Sequence, residues 1–263
     1  MPATVWVLAV LAIGSCLRAE ERGTVQAPVY TTASVVNGAS HLPGLAPNTI
    51  ASLYGTGLTW NTRSVTPADI DRDLLPTILP NTGVRVIIGG IFARFYYVSP
   101  TQLNLLIPSS LRPGTYDLRV AVDGTAGPAV KVKLDKAAPA LFLMEPGLLV
   151  GTRPNGVVYT RDSPARPRDY VILYGTGLGQ VSPAPLDGEL VRYAAEIVDR
   201  HLFGVYLDGE PIADVLYAGV TPGFAGLYQI NIRLPESFGR HPEVRLRLGD
   251  AWSPPGIRLP AEP

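Results

Sequence analysis

Three aspartates at alternating positions, Asp69, Asp71 and Asp73, have the spacing in this 263-residue chain that most resembles a metal-binding loop. Carboxylates so spaced begin the calcium loop of an EF-hand, which also needs a glycine at its sixth position and a glutamate at its twelfth. Leu74 and Pro80 occupy those positions here. We therefore predict a solvated loop and no metal site, with an irregular Ca²⁺ site as the alternative.

The motif Tyr-Gly-Thr-Gly-Leu occurs twice, at residues 54–58 and 174–178, and resembles the start of a dinucleotide-binding loop. Such a loop needs a helix N-terminus directly after it to face the phosphates. Val181-Ser182-Pro183 follows the second motif instead and does not open a helix promptly. We predict no cofactor site, and strand-ending turns in which glycine supplies positive φ angles. The turn glycines are Gly55, Gly57, Gly175 and Gly177.

No set of residues for catalysis is evident in the sequence. The three histidines, His41, His201 and His241, lack metal-ligand spacing, and Cys16 is the single cysteine. The GxSxG and HExxH motifs do not occur. We predict that the protein is not an enzyme. A hydrolase with carboxylates dispersed along the sequence is the remaining catalytic alternative, because such pairs are recognised by their separation in space.

The composition indicates short strands joined by turns. Hydrophobic residues make up 46% of the chain, enough for packed cores, and the 27 glycines and 26 prolines are spread along it. The 22 basic and 22 acidic residues give no net charge. A nucleic-acid-binding protein needs a basic surplus to neutralise phosphates, so we predict no nucleic-acid partner.

An internal duplication organises the chain. Besides the Tyr-Gly-Thr-Gly-Leu motif, Gly89-Gly90 matches Asp208-Gly209, and Tyr97 matches Tyr217. After an insertion of seven residues around Phe224, the segment 102–108 matches 229–235. Four landmarks in the same order predict two copies of one domain.

Alternating apolar and polar residues predict half-buried antiparallel strands in both copies. Val84, Val86 and Ile88 follow this pattern in the first copy, and Val244, Leu246 and Leu248 follow it in the second. The pairs at 89–90, 123–124 and 208–209 suit two-residue hairpin turns. Residues 189–201 have the one pattern that could be helical. The predicted fold is all-β, with two tandem immunoglobulin-like β-sandwiches.

The predicted boundaries follow from these patterns. They are a signal peptide at 1–19, or 1–15 in a lipoprotein, a linker at 20–33, repeat 1 at 34–138, a proline-rich junction at 139–168 and repeat 2 at 169–263.

The apolar run Val5 to Gly14 has the length of a signal-peptide core and is too short for a membrane span. Cleavage after Ala19 predicts a secreted or periplasmic protein. Alternatively, Ile13-Gly14-Ser15-Cys16 resembles a lipobox, in which Cys16 receives the lipid and anchors an envelope or outer-membrane lipoprotein. In both cases the protein is exported, and a membrane is contacted only through that anchor.

Loop aromatic residues are the candidates for ligand contact, since exposed rings can form a sugar-binding platform, although core packing is the commoner role of such rings. The amides of Gln102, Asn104, Gln229 and Asn231 recur in both copies, which favours a role in the fold over a binding ledge. The candidate aromatic residues are Trp60, Phe224, Tyr228 and Trp252.

Four segments carry a family resemblance: SVVNGASHLPGLAPNTIASLYGTGL (34–58), FYYVSPTQLNLLIP (95–108), YGTGLGQVSP (174–183) and LYAGVTPGFAGLYQINIRLP (216–235). They resemble an uncharacterised C-terminal domain family of exported Acidobacteria (Solibacter-type) proteins, each half of which is similar to IPT/TIG immunoglobulin-like folds. The resemblance implies export and a tandem β-sandwich fold, and it implies no activity.

These observations predict a non-catalytic, exported cell-envelope or secreted module that contacts a protein partner or mediates adhesion. The alternative is a carbohydrate-binding module that uses loop aromatic residues. The partner, protein or glycan, is unknown at this point.

Overall fold

The computed structural model describes residues 26–263, and the predicted signal peptide with Cys16 lies outside this range. The described residues form antiparallel sheets and contain no α-helix, which confirms the all-β class. Within the same range no helix is long and apolar enough to cross a membrane. Three 3₁₀ helices lie at Thr32–Ser34, Pro67–Asp69 and Arg200–Leu202.

The N-terminal half packs two five-stranded sheets against each other, in the orders β1-β2-β7-β6-β3 and β10-β8-β4-β5, with β9 beside β8. The strands are β1 Val35–Asn37, β2 Ile50–Tyr54, β3 Arg63–Ser64, β4 Val84–Ile88, β5 Ile91–Phe92, β6 Arg94–Val98, β7 Gln102–Leu106, β8 Gly114–Val122, β9 Thr125–Ala126 and β10 Val130–Leu134.

The C-terminal half packs the sheet β11-β15-β21-β20-β17-β16, with β14 beside β15, against the sheet β19-β18-β22-β23, and adds the ribbon β12-β13. The strands are β11 Ala140–Leu141, β12 Leu143–Glu145, β13 Leu148–Leu149, β14 Gly151–Thr152, β15 Tyr170–Thr176, β16 Val181–Ser182, β17 Glu196–Ile197, β18 Phe203–Leu207, β19 Glu210–Pro211, β20 Val215–Val220, β21 Tyr228–Arg233, β22 Val244–Leu248 and β23 Ala251–Trp252.

The two halves share the pairing and register of their central strands, although their sheets differ in the number of edge strands. Tyr54 on β2 pairs with Gln102 on β7, and Tyr174 on β15 pairs with Gln229 on β21. A bulge interrupts β6 just before Tyr97 and interrupts β20 just before Tyr217. A bulge shifts every later side chain along its strand, so its recurrence at the same place is specific evidence that the halves are copies.

The alternating segments bury the predicted faces. Val84, Val86 and Ile88 are fully buried in an N-terminal core, and Val244 and Leu246 lie in a separate C-terminal core. Each core takes side chains from both sheets of its half, which is how a β-sandwich buries apolar surface.

The predicted hairpin turns are also confirmed. Residues at 89–90, 123–124 and 208–209 all have positive φ and each pair joins two adjacent strands through a two-residue loop. Residues 189–201, whose pattern could have been helical, form no α-helix. Residues 196–197 instead pair with β16 and β20, and a 3₁₀ helix follows at Arg200–Leu202.

Part of the predicted junction belongs to the C-terminal core. Strands β11 and β14 both pair with β15, and Leu149, Tyr159 and Ala165 are buried in that core. In the predicted linker, the buried ring of Tyr30 packs into the N-terminal core and its hydroxyl accepts from Val120 N and donates to Pro128 O. Prolines interrupt both segments without preventing them from packing.

The prediction of positive φ was wrong for Gly55 and Gly175, and Gly175 lies within strand β15. Gly57 and Gly177 test the turn interpretation. Both have positive φ, but a Cβ on Gly57 would meet no atom closer than 3.9 Å, whereas one on Gly177 would overlap the carbonyl oxygen of Ala138. Gly57→Ala should lower the free energy of unfolding by about 1 kcal/mol through backbone strain alone, and Gly177→Ala should lower it by clearly more. Urea unfolding of both variants measures this difference. Equal losses would mean that Gly177 is not held against Ala138.

Candidate functional site

The two halves are joined by backbone pairing. Leu75 N donates to Gly188 O at 2.9 Å, and Leu190 N donates to Asp73 O at 2.7 Å. Leu74 and Glu189 form an antiparallel bridge between these bonds. Segments from opposite halves therefore behave as a short two-stranded ladder, which fixes their relative position along the strand direction.

An apolar cluster lies beside this ladder. Leu75 and Leu106 from the N-terminal half pack with Ala225 from the C-terminal half, and all three are buried. Five partly buried side chains surround them, so the contact between halves removes a continuous apolar surface from water. These side chains are Ile50, Val65, Ile70, Tyr96 and Leu190.

Buried polar groups also cross between the halves. Asn48 Nδ2 donates to the Tyr228 hydroxyl at 3.1 Å, and that hydroxyl donates to Gly179 O. Ile50 N donates to Thr176 Oγ1 at 2.9 Å, and Thr176 Oγ1 donates to Gly226 O at 2.8 Å. Tyr228 is fully buried, and burial raises its pKa far above the usual value, so the phenol stays a neutral donor.

This position corrects the interpretation of Tyr228 as a ligand contact. Its ring lies in the C-terminal core with no exposed surface, and its hydroxyl is used by Asn48 and Gly179. The phenol is a structural link because a buried hydroxyl needs partners.

Beside the apolar cluster a cleft of about 630 Å³ opens between the halves; we call it the Phe224 cleft. Its volume falls within the roughly 300 to 1,000 Å³ that is usual for small-ligand sites. One wall is the loop 221–226, which lies in the seven-residue insertion of the second copy. The lining residues are Val65, Thr66, Pro67, Ile70, Arg72, Asp73, Leu75, Tyr96, Leu190, Arg192, Gly223 and Phe224.

The loop that carries Phe224 is held from both halves. Gly223 N donates to Val191 O at 2.7 Å, and Val191 N donates to Phe224 O at 3.2 Å. From the other half, the Tyr96 hydroxyl donates to Ala225 O at 2.6 Å and accepts from Ala225 N at 3.0 Å. Burial raises the pKa of Tyr96 to about 12, so this phenol is neutral as well. The Phe224 ring itself remains 45% exposed.

Charged side chains stand at the rim of the Phe224 cleft. Arg192 Nη2 lies 2.7 Å from Asp73 Oδ1, and Arg192 Nε lies 3.2 Å from the same oxygen. The pair links the two halves, and the guanidinium and the carboxylate both remain partly exposed. Arg72 adds a second, highly exposed guanidinium. The site thus combines an apolar floor, an aromatic ring and planar hydrogen-bonding groups.

A second cleft, of about 720 Å³, lies elsewhere along the boundary; we call it the aspartate cleft. Asp135, Asp199 and Asp250 line it together with the exposed aliphatic side chains of Val198 and Leu202. Asp135 is paired with Lys133 at 2.8 Å.

The aspartates at 69–73 have separate partners. Asp69 is bound by Thr66 and Arg63, and their hydrogen bonds hold its pKa below the usual value. Asp73 is paired with Arg192, and Asp71 is exposed to solvent. Within residues 26–263 no three His, Cys, Asp or Glu side chains are placed to hold a metal ion.

The other predicted contacts lie apart. Trp60 packs close to Gly83, Trp252 lies on β23 against Tyr206, and Phe224 stands in its cleft. The amides of the first copy bond to other side chains. Gln102 Nε2 donates to Asn104 Oδ1 at 2.8 Å, and Ser52 Oγ donates to the same oxygen at 3.0 Å. In the second copy, Asn231 Oδ1 is buried without a hydrogen-bond partner in the described structure.

Sequence patterns did not reveal the clamp formed by Asp187. Its carboxylate accepts from Ser109 Oγ at 2.7 Å, Ser110 N at 2.9 Å and Ser110 Oγ at 2.6 Å, all in the other half. Burial opposes ionisation, but the hydrogen bonds from Ser110 and Ser109 outweigh it and keep the pKa of Asp187 below its usual value. The Ser-Ser pair was the one available sequence signal, and its partner lies far away in the chain.

No family model and no curated protein matches the chain, and the Acidobacteria family resemblance stays a prediction. Among solved structures, a surface glycan-binding protein from Prevotella bryantii aligns with 9% identity over 84% of this chain and 39% of its own, at a TM-score of 0.28. The SGBP-B protein of the Bacteroides ovatus mixed-linkage glucan utilization locus, in complex with a mixed-linkage heptasaccharide, aligns with 11% identity over 82% of this chain and 39% of its own, at 0.32.

Domains 4 and 5 of the S-layer protein SbsC align with 10% identity over 86% of this chain and 94% of theirs, at a TM-score of 0.22. The chain spans about two fifths of the length of the two glycan-binding proteins. Similarity at these low scores does not reveal a ligand.

Tyr96→Phe should loosen the Phe224 loop. The change leaves the N–H and C=O of buried Ala225 without partners, which costs about 1 to 3 kcal/mol. We expect a lower free energy of unfolding in urea and faster amide exchange at Ala225. Tyr97→Phe is the control, because the Tyr97 hydroxyl makes no side-chain hydrogen bond among residues 26–263. Unchanged exchange at Ala225 in Tyr96→Phe would contradict the anchoring role.

The Asp187 clamp should be sensitive to acid. The pKa of Asp187 is lower in the folded state than in the unfolded state. The Asp187 carboxylate therefore stabilises the fold fully above its unfolded pKa of about 3.9, and this stabilisation is lost as the pH falls through the folded pKa. Asp187→Asn should therefore be less stable than the wild type at pH 7, and the two should converge at low pH. Asp162→Asn, at an exposed site, serves as the control. A difference that persists at pH 2 would exclude the carboxylate charge as its source.

Proposed function

We propose that this protein is a non-catalytic, exported binding module that holds a carbohydrate chain in the Phe224 cleft. The observation that carries the proposal is the half-exposed Phe224 ring, fixed beside the Arg192–Asp73 pair by a loop that only the second copy contains. The pairing of the flanking strands does not require this loop, since β6 and β7 of the first copy pair without it, as β20 and β21 do with it.

The chemistry of the cleft suits a sugar. A pyranose has apolar C–H faces that pack on an aromatic ring, whose π face is electron-rich. Its hydroxyl groups both donate and accept, and the partly exposed Arg192 and Asp73 offer the complementary groups from opposite sides of the boundary. Apolar walls with a few placed polar groups are the usual composition of small-ligand sites.

Binding without hydrolysis is supported by the carboxylates of this cleft. Glycoside hydrolysis generally uses two carboxyl groups on either side of the scissile bond. Asp73 is the single carboxylate among the residues that line the Phe224 cleft, and Arg192 neutralises it.

A protein partner is the second candidate function. Val198 and Leu202 are about half exposed in the aspartate cleft, and paired aliphatic side chains in a concave surface favour contact with apolar protein side chains. Adhesion through this face would leave the Phe224 cleft free. Export through residues 1–19, or attachment by a lipid on Cys16, belongs to the same proposal, as does the division into repeats at 34–138 and 169–263.

Phe224→Ala should weaken sugar binding at least tenfold. The purified protein is titrated calorimetrically with neutral β-glucan, xylan and mannan oligosaccharides, and the oligosaccharide that binds is then titrated into the variant. Phe92→Ala is the matched control, because Phe92 is similarly exposed but lies on the far sheet of the other half.

Two outcomes would overturn the proposal. Failure of the whole panel to bind, or equal affinity in Phe224→Ala, would exclude the Phe224 cleft as a sugar site. Appearance of shortened oligosaccharides after long incubation would exclude a purely binding role.

A further inference from the structure

The outer face of the sheet β19-β18-β22-β23 carries an aromatic pair between arginines. Tyr206 on β18 is directly opposite Arg245 on β22, and Arg247 on β22 is directly opposite Trp252 on β23. The Tyr206 and Trp252 rings lie 4.7 Å apart between centroids, at an angle of 51°. Trp252 remains 41% exposed, so the pair presents aromatic surface to solvent.

Both arginines are held in place by backbone carbonyls. Arg245 Nε and Nη2 donate to Ser253 O at 3.1 and 2.6 Å, and Arg247 Nε donates to Gly249 O at 2.8 Å. Their guanidinium carbons lie 5.0 and 5.4 Å from the centroid of the Trp252 ring. Within residues 26–263 neither arginine has a carboxylate within salt-bridge distance, so their charge is left for an outside partner.

The first copy shows that the fold does not require this patch. In its corresponding sheet, Ile87 is opposite Arg119 and Ala121 is opposite Ala126. The register equates Tyr206 with Ile87, Arg247 with Ala121 and Trp252 with Ala126. Two aromatic rings and one arginine therefore distinguish the second copy at matched positions of one topology. The first copy has a different pair on this face, with the Arg85 guanidinium carbon 5.4 Å from the centroid of the Phe92 ring, so the shared topology does not dictate the residues of the second copy.

We propose that this face binds a polysaccharide that carries carboxylate groups, such as a chain of uronic acids. The proposal is independent of the Phe224 cleft, which lies between the halves and lacks an unpaired arginine anchored in this way. Here the aromatic pair receives the C–H face of a sugar ring, and the guanidinium of Arg247 receives the carboxylate of the same or the next ring.

Charge and shape together favour this occupant. A guanidinium binds a carboxylate through two parallel hydrogen bonds, a geometry that an ordered arginine preserves. Arg245 and Arg247 are two residues apart on one strand, hence about 7 Å apart, and they lie on the same face. A chain with one charge on each ring can meet both arginines while its rings lie along the aromatic pair.

The test compares polygalacturonate, its fully methyl-esterified form, poly-glutamate, single-stranded DNA and vesicles of anionic lipid. Binding to the purified protein is measured for the wild type, Trp252→Ala, Arg247→Ala and Arg119→Ala. The first two variants install the residues of the other copy, so the fold accepts them, and thermal unfolding checks this directly. Arg119→Ala removes the arginine that corresponds to Arg245 in the matched sheet of the first copy, where Ala126 stands in place of Trp252.

We expect polygalacturonate to bind, the esterified form to bind at least tenfold more weakly, and Trp252→Ala and Arg247→Ala each to lose at least tenfold in affinity, with Arg119→Ala unchanged. The proposal is overturned by equal binding of poly-glutamate, DNA or vesicles, which would show a response to charge alone. It is also overturned if neither patch variant changes the affinity. Phe224→Ala should leave this binding intact, which separates the two sites.

Discussion

Where the two halves meet, buried polar groups need hydrogen-bond partners, and the rest of the structure depends on this requirement. The Tyr228 hydroxyl, Asn48 and Thr176 are buried, and each finds a partner across the boundary or on a loop beside it. Leaving one such group unpaired costs about 1 to 3 kcal/mol, a large part of the stability of a domain. An altered docking would break several of these bonds together, so the apolar cluster and the backbone ladder are held in one arrangement.

That constraint creates the Phe224 cleft. Its walls come from both halves, and Arg192 and Asp73 meet only because residues far apart in the chain are docked there. A site whose side chains are already in place loses little conformational freedom when a ligand binds, and more of the contact energy remains as affinity. Tyr96 contributes in the same way, because its hydroxyl fixes the loop at Ala225 while the neighbouring Phe224 ring stays open to solvent.

Local patterns in the sequence were sufficient for the strands and turns. Apolar residues at Val84, Val86 and Ile88 alternate with other residues because successive side chains of a strand point to opposite faces of the sheet. The positive φ at Gly177 is accessible because glycine has no Cβ. Burial of an aromatic residue has no such signature, so Tyr228 was misassigned to a ligand site. The pairing of Asp73 with Arg192 joins residues from opposite halves, and it follows from docking, which no local pattern encodes.

The duplication separates what the fold needs from what it does not. Both copies keep the Tyr-Gly-Thr-Gly-Leu turn and the bulge before Tyr97 or Tyr217, where the backbone itself sets the requirement. The two copies differ in the loop that carries Phe224, which is seven residues shorter in the first copy, and at Trp252, where the first copy has Ala126. Because one topology is stable with either choice, stability alone does not account for the exposed aromatic rings of the second copy. Exposing such rings to water is unfavourable for the free protein, and binding of a ligand is the process that would offset that cost.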